Sequence, residues 1–288
     1  MNVQDIYAEV GKRYSAAAGG VEARYADSVA KAFGYTKDEL SDIPQDANLG
    51  LSCGNPLAIA TLHEGETVID LGSGAGLDVF LAARKVGKSG RVIGVDMNQD
   101  MLTKAEALKV SWGQENVEFV QSQITRIALE DGIADCIISN CVVNLVPEEE
   151  KQLVFNEMFR LLKPGGRVAI SDILAKGPLP DAIKKSMALY VGCIAGASEV
   201  GMYQKYLKEA GFNSIIMQDS GNDLNVYHHE TSDNCSSSLP TCNSDSAEQI
   251  RGCCTDTGCR LTESDAVNAR DIDFNEWTAS YKIFAVKN

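Results

Sequence analysis

A glycine-rich loop between a strand pattern and a helix pattern constrains this chain most. Val68–Leu71 is a short, mostly apolar run of strand type carrying Asp70. It leads into Gly72-Ser73-Gly74-Ala75-Gly76, and a helix pattern follows over Leu77–Val86, ending near Gly87. A parallel sheet uses such a strand–turn–helix unit to bring its backbone close to a ligand at the carboxyl edge. Glycines are needed there because a Cβ would block the approach.

The rhythm continues downstream. Arg91–Val95 reads as a strand ending at Asp96, Gln99–Trp112 as a helix, and Val117–Gln121 and Ala134–Ser139 as strands. Pro147–Leu162 reads as a helix closed by the turn Lys163-Pro164-Gly165-Gly166, with a fifth strand over Arg167–Asp172. Nearly continuous apolar strands alternating with helices indicate an α/β fold with a parallel sheet covered on both faces. Pro180–Tyr190 and Glu199–Ala210 read as helices, Asn213–Gln218 as a sixth strand and Thr278–Lys287 as a last one. Val3–Ser15 and Tyr25–Phe33 are helical, separated by the stop Gly19-Gly20. The expected organisation is an N-terminal helical cap (1–56), a ligand-binding core (57–220) and a C-terminal region (221–288). Residues 228–262 are rich in Ser, Asp, Thr, Asn and Cys and read as an inserted loop before the final strand.

Charge and cysteine usage narrow the function. The formal net charge of −14, with no basic patch, disfavours a nucleic-acid partner. The apolar stretches are too short to span a membrane, and the first residues lack a signal pattern, so the cytoplasm is the expected location. Nine cysteines in a reducing compartment suggest metal, metalloid or redox chemistry over disulfide stapling.

The glycine loop has two readings, and three features count against a dinucleotide. Gly76 follows Gly74 by two residues, whereas the dinucleotide fingerprint places its third glycine three residues on. Asp70 would repel a pyrophosphate but can bind the amino group of a cationic sulfonium amino acid. No second nucleotide fingerprint is present. Asp96, at the end of the next strand, has the spacing of an acid that binds ribose hydroxyls.

Asp70 to Gly76 resembles motif I of the class I methyltransferases, and the resemblance covers about residues 57–220 plus the last strand. It implies a Rossmann-like sheet, mostly parallel with an antiparallel last strand, and S-adenosylmethionine as cofactor. By this resemblance Asp70, Gly72, Ser73, Gly74, Gly76, Asp96 and Met97 bind cofactor. Gln123 and Ile124 contact its adenine. Asn140, Val142 and Leu145 lie beneath its methionine moiety.

The acceptor is less conventional. Ser139-Asn140-Cys141-Val142-Val143-Asn144-Leu145 lacks the prolines and aromatic of amine methyltransferases and places Cys141 where an acceptor approaches. Carbon and oxygen acceptors usually require a base, and His63, His228 and His229 lie in no convincing active-site context. Cys53 and Cys193 fall near the same mouth, and converging thiolates suit a soft, thiophilic centre.

The glycine loop with Leu77-Asp78, the Cys141 segment and Tyr190-Val191-Gly192-Cys193-Ile194-Ala195-Gly196-Ala197 together resemble arsenite methyltransferases over about residues 48–215. That resemblance implies trivalent arsenic held by Cys141 and Cys193, with Cys53 a third ligand or a redox thiol. It implies arsenite and methylated arsenicals, as thiol conjugates, for substrates and glutathione or thioredoxin for reductant. The other readings are a carbon methyltransferase of a quinone or sterol, and a thiol-based arsenic binder without turnover. Cys136, inside a strand, is expected to be a buried small hydrophobe. Cys253 and Cys254 are open between arsenic chemistry and incidental thiols. Cys259 lies five residues beyond that pair, and Cys235 and Cys242, seven apart, match no standard zinc spacing.

Overall fold

A computed structural model describes residues 2–229 and 272–288. The insertion cysteines Cys235, Cys242, Cys253, Cys254 and Cys259 therefore lie outside the described residues. Seven strands form one sheet: β1 (Thr67–Leu71), β2 (Arg91–Asp96), β3 (Val117–Gln121), β4 (Ala134–Asn140), β5 (Leu162–Ala175), β6 (Ser214–Asp219) and β7 (Thr278–Val286). Their order is β3-β2-β1-β4-β5-β7-β6. β7 runs antiparallel to both neighbours, and the remaining pairings are parallel.

The period-two pattern of the strands sorts the two cores. Ile69 and Leu71 of β1 and Val168 and Ile170 of β5 face a cluster containing Phe155, Met158, Tyr203 and Leu207. Val68 and Ala169 face the other way, toward Val79, Phe80, Ala83 and Val86. Burial of each such side chain stabilises the fold by about 1.5–3 kcal/mol. The sheet is thus fixed in register, because a one-residue slip would exchange the two faces.

The helices are α1 (Val3–Ala18), α2 (Ala23–Ala32), α3 (Lys37–Ser41), α4 (Leu57–Ala60), α5 (Leu77–Val86), α6 (Gln99–Trp112), α7 (Lys151–Leu161), α8 (Asp181–Lys184), α9 (Met187–Val191), α10 (Val200–Ala210) and α11 (Phe274–Trp277). Asn2 caps α1 by accepting the Asp5 amide at 2.8 Å, and Gly19 closes it. α1 packs on α6, on α9 and on the 3-10 turn Val143–Leu145, and so covers the carboxyl ends of the strands. No helix among the described residues is long and apolar enough to cross a membrane.

Three local readings change. The expected Pro147–Leu162 helix begins instead with a 3-10 turn, Glu148–Glu150, and becomes α-helical only at Lys151. The expected turn Lys163-Pro164-Gly165-Gly166 is absorbed into β5. There the last strand supplies partners: Gly165 N–H donates to Lys287 O (2.7 Å) and Lys287 N–H to Gly166 O (2.8 Å). Long-range pairing overrides the local turn signal. The expected Pro180–Tyr190 helix divides into α8 and α9. Lys185 ends the first in a turn, and Ser186 Oγ accepts the Leu189 amide at 3.3 Å to start the second.

Candidate active site

The strand ends and the α1 cap enclose a cleft with about 1030 Å³ of empty space, its solvent-open mouth included. Asp70, Gly72, Ser73, Gly74, Asp96 and Met97 line it from β1 and β2. Gln123 and Ile124 border it after β3, and Asn140, Cys141, Val142 and Leu145 after β4. The sequence-derived set therefore converges, with one change on the cofactor side. Gly76 does not line the cleft. It adopts φ +98° and caps α5, and a Cβ there would meet Phe80 Cε2 at 2.8 Å. Its role is to let the loop turn and the helix pack.

The cleft suits a cation. Asp70 is buried and accepts no hydrogen bond among the described residues. Burial first, and then the nearby Asp78 and Asp96 charges, push its pKa well above the usual carboxylate range. An ammonium beside it would relieve that penalty. The Ser73 hydroxyl is buried with no hydrogen-bond partner among the described residues. Gly72 has φ +73°, and a Cβ there would collide with Val142. An orphaned hydroxyl, an uncompensated acid and a loop with no room for Cβ atoms fit the ammonium and sulfonium of S-adenosylmethionine. Asp96 is anchored by its own backbone contacts: Gly74 N–H donates to Oδ2 and Asn98 N–H to Oδ1, both at 2.8 Å.

Asp78, at the start of α5, joins the cleft and was not singled out as a site residue from sequence. Tyr35 O–H donates to its Oδ1 (2.7 Å) and Asn140 Nδ2 to its Oδ2 (3.0 Å). Its pKa is pushed up to about 6, chiefly by burial, with those two donors opposing. The usable signal was an acid in the first turn directly after the glycine loop. Asn140 also donates to Gly54 O (2.9 Å), and its Oδ1 accepts the Cys53 amide (3.2 Å). This single amide thus ties the cofactor cleft to the Cys53 loop.

Of the three cysteines singled out in the sequence, Cys53 and Cys141 join, and Cys193 reaches the Cys141 backbone carbonyl. Cys53 and Cys141 form a disulfide with Cα atoms 5.8 Å apart, closing a span of 88 residues. Free thiols were expected at both, so this is a correction. The Cys53 loop reaches Cys141 because Gly54 passes close to β5, where a Cβ would sit 2.6 Å from Ser171 Cβ. Ser280 of β7 holds it by donating to Cys53 O (2.6 Å). Cys193 is buried, and its Sγ–H donates to Cys141 O at 3.0 Å. Only Cys141 of the three lines the cleft.

Backbone strain marks the same place. Among the described residues three non-glycine residues have positive φ, and two of them are Cys141 (+59°) and Cys193 (+66°). Such conformations cost on the order of 1–3 kcal/mol each and persist where surrounding structure enforces them. The enforcement is visible. Asn144 Nδ2 donates to Ile173 O and to Cys193 O (3.3 Å). Lys151, almost fully buried, donates to Gly196 O and to Ser198 Oγ (2.7 Å) and pairs with Glu148 (2.8 Å).

Asp172 is a second acid that sequence reading passed over. A carboxylate oxygen of Asp172 and the Cys53 and Cys141 sulfurs all lie within 4.8 Å of one another. Burial pushes its pKa up to about 7, opposed by the Ile173 amide and, more weakly, by the Lys151 charge and Tyr203. Cys136 is buried in β4 and its thiol is pushed up to about 12 by burial, which makes it a packing residue as expected. His63 is exposed on its turn.

Comparison with known proteins agrees with this geometry. A family model described as a methyltransferase domain matches residues 62–211. The arsenite methyltransferase of Halobacterium salinarum is 45% identical over 212 residues, 74% of this chain and 54% of that protein. The ubiquinone/menaquinone biosynthesis C-methyltransferase of Salmonella arizonae is 31% identical over 185 residues, 59% of this chain and 71% of that one. Among solved structures, the arsenic(III) S-adenosylmethionine methyltransferase of Chlamydomonas reinhardtii superposes with a TM-score of 0.55 at 25% identity, covering 90% of this chain and 72% of that chain. The chain spans about half the length of the curated arsenite methyltransferases it matches. With this sheet order, glycine loop and thiol cluster on one scaffold, the chain belongs to the methyltransferase-domain family, has the class I fold, and is similar across its core to arsenite S-adenosylmethionine methyltransferases.

Proposed function

We propose that this protein transfers methyl groups from S-adenosylmethionine to trivalent arsenic held by Cys141 and Cys193, with Cys53 serving as the redox thiol. The observation that carries the reading is Cys141 at the wall of the cofactor cleft, bonded to Cys53 and contacted through its carbonyl by Cys193, with Cys141 and Cys193 both held in strained backbone.

The chemistry balances. The arsenic lone pair attacks the sulfonium methyl; the C–S bond breaks, and neutral S-adenosylhomocysteine leaves. Arsenic is thereby formally oxidised to the pentavalent state. The Cys53 thiol then attacks the arsenic-bound Cys141 sulfur: the S–S bond forms, one proton is released, and the As–S bond to Cys141 breaks with its electron pair left on arsenic, which returns to the trivalent state on Cys193. Glutathione or thioredoxin reduces the disulfide. No proton is removed from the acceptor before attack, in keeping with a cleft that no histidine among the described residues lines. Holding arsenic in line with the methyl group supplies much of the catalysis. The cytoplasm is the fitting compartment, because it supplies thiol reductants.

A second reading is carbon methylation of a quinone, which the Salmonella relative favours. It needs a base for the acceptor and gives no role to the three cysteines. One assay separates these readings: arsenite, cofactor and glutathione, with arsenic species resolved by chromatography. The expected result is methylarsenicals together with S-adenosylhomocysteine. Arsenic binding without cofactor consumption would identify a non-catalytic binder. Absence of both would shift weight to the carbon acceptor.

A further inference from the structure

One side chain grips the Cys53 loop twice. Cys53 N–H donates to Asn140 Oδ1 at 3.2 Å, and Asn140 Nδ2 donates to Gly54 O at 2.9 Å. The same nitrogen also donates to Asp78 Oδ2 at 3.0 Å and to the Tyr35 hydroxyl oxygen at 2.9 Å. The amide is oriented unambiguously, because a backbone N–H can only donate and a carbonyl can only accept. The Tyr35 hydrogen is already given to Asp78 Oδ1 at 2.7 Å, so the Tyr35 oxygen receives. A carboxamide nitrogen carries two hydrogens. Three acceptors, Gly54 O, Asp78 Oδ2 and the Tyr35 oxygen, therefore compete for them.

This competition joins the two halves of the site. Asp78 and Asn140 line the cofactor cleft with Asp70, whereas Tyr35, Cys53 and Gly54 do not. When Asp78 receives a donor from the cofactor, the two amide hydrogens are left for Tyr35 and Gly54. We propose that Asn140 is a positioning residue for Cys53, and that occupancy of the cleft tightens its hold on Gly54 and so keeps Cys53 against Cys141. Emptying the cleft returns a hydrogen to Asp78 and loosens the loop. Product occupancy thus favours the disulfide, and product release favours its reduction. That ordering of the cycle rests on the redox role proposed above for Cys53 and Cys141.

The test contains no arsenic. The full chain is equilibrated in glutathione buffers of graded redox ratio, with and without saturating S-adenosylhomocysteine, then acid-quenched and alkylated. Two glutathiones supply the electrons and protons that turn the disulfide into two thiols, and leave as glutathione disulfide. Mass spectrometry of the Cys53 and Cys141 peptides reads the fraction reduced. S-adenosylhomocysteine should lower the equilibrium constant for reduction about fivefold, the contribution of one ordinary hydrogen bond. By reciprocity, calorimetry should find it bound about fivefold more tightly by the oxidised chain than by the reduced chain. Tyr35→Phe removes one of the three acceptors and keeps the ring that packs in the core. Two hydrogens then meet two acceptors, and the S-adenosylhomocysteine effect should fall below about twofold.

An equal effect in Tyr35→Phe and the unsubstituted chain would overturn the sharing of hydrogens at Asn140. No effect in the unsubstituted chain, a comparison that needs no variant, would overturn the inference outright. If that chain still methylates arsenite normally, the function reading stands without it. A Cys53–Cys141 pair that stays oxidised at every glutathione ratio would remove the redox role of Cys53 first, and this inference with it.

Discussion

The two halves of the site are built in opposite ways. The cofactor half comes largely from two consecutive strand–loop–helix units, with Asp70, Gly72, Ser73 and Gly74 in one loop and Asp96 and Met97 in the next. The thiol half joins residues 53, 141 and 193, held by backbone contacts to β5 and β7 and by a buried lysine. In the first, backbone conformation does the positioning and glycine makes it possible. In the second, tertiary contacts force two cysteines into left-handed backbone. The methyl-donor half is a local motif, whereas the proposed acceptor half is assembled by the fold as a whole.

Substitutions should disable the halves separately, and the largest effect is expected on the thiol side. Cys141→Ser or Cys193→Ser should lower arsenite methylation at least about 1000-fold, since each removes a ligand needed to hold arsenic in line. Affinity for S-adenosylmethionine, measured by calorimetry on reduced protein, should stay within twofold. Normal turnover in either variant would dissolve the distinction.

The converse comes from Asp70→Asn. It keeps size but removes the negative charge from a buried wall, so S-adenosylmethionine should bind on the order of 30-fold more weakly. Arsenite binding by dialysis should be unchanged. Coupled losses would mean the two halves are a single cooperative unit.

Asp172 extends the contrast to stability. Its pKa is about 7 in the fold against an ordinary carboxylate value when unfolded. Between those values the native state holds more protons than the unfolded state, so this group's contribution to stability falls as pH rises from about 4 to 7. Above that range the penalty is complete. Asp172→Asn keeps an acceptor for the Ile173 amide and removes the charge. It should stabilise the protein by up to about 4 kcal/mol at pH 8 and by almost nothing at pH 4. Denaturant melts at the two pH values read this directly, and equal gains at both would refute it.

The smallest effect is expected at Cys136, the buried cysteine that belongs to neither half. Cys136→Ala should cost about 1 kcal/mol of stability through a small cavity. Methylation rate per folded molecule should not change. A loss of activity there would extend the thiol site into the sheet.

Several elements are legible almost residue for residue in the periodicity of the chain. α5 over Leu77–Val86, α6 over Gln99–Trp112 and β3 over Val117–Gln121 occur where their periodicity places them. These are segments whose local preference and burial agree. The largest misreading is where a distant segment intervenes. β5 runs through Lys163-Pro164-Gly165-Gly166 because Lys287 pairs with that stretch from the far end of the chain.

The site divides along the same line. The cofactor loop, its acid at Asp96 and the three cysteines that matter are all written in the residues themselves, because motif spacing encodes local backbone geometry and residue chemistry. Folding adds the rest: the bond between Cys53 and Cys141, the packing role that takes Gly76 off the cleft, and the arrival of Asp78 and Asp172 at the site. Those facts depend on which distant surfaces meet when the two faces of the sheet are buried, and that outcome is a sum over the whole core which no short window of sequence contains.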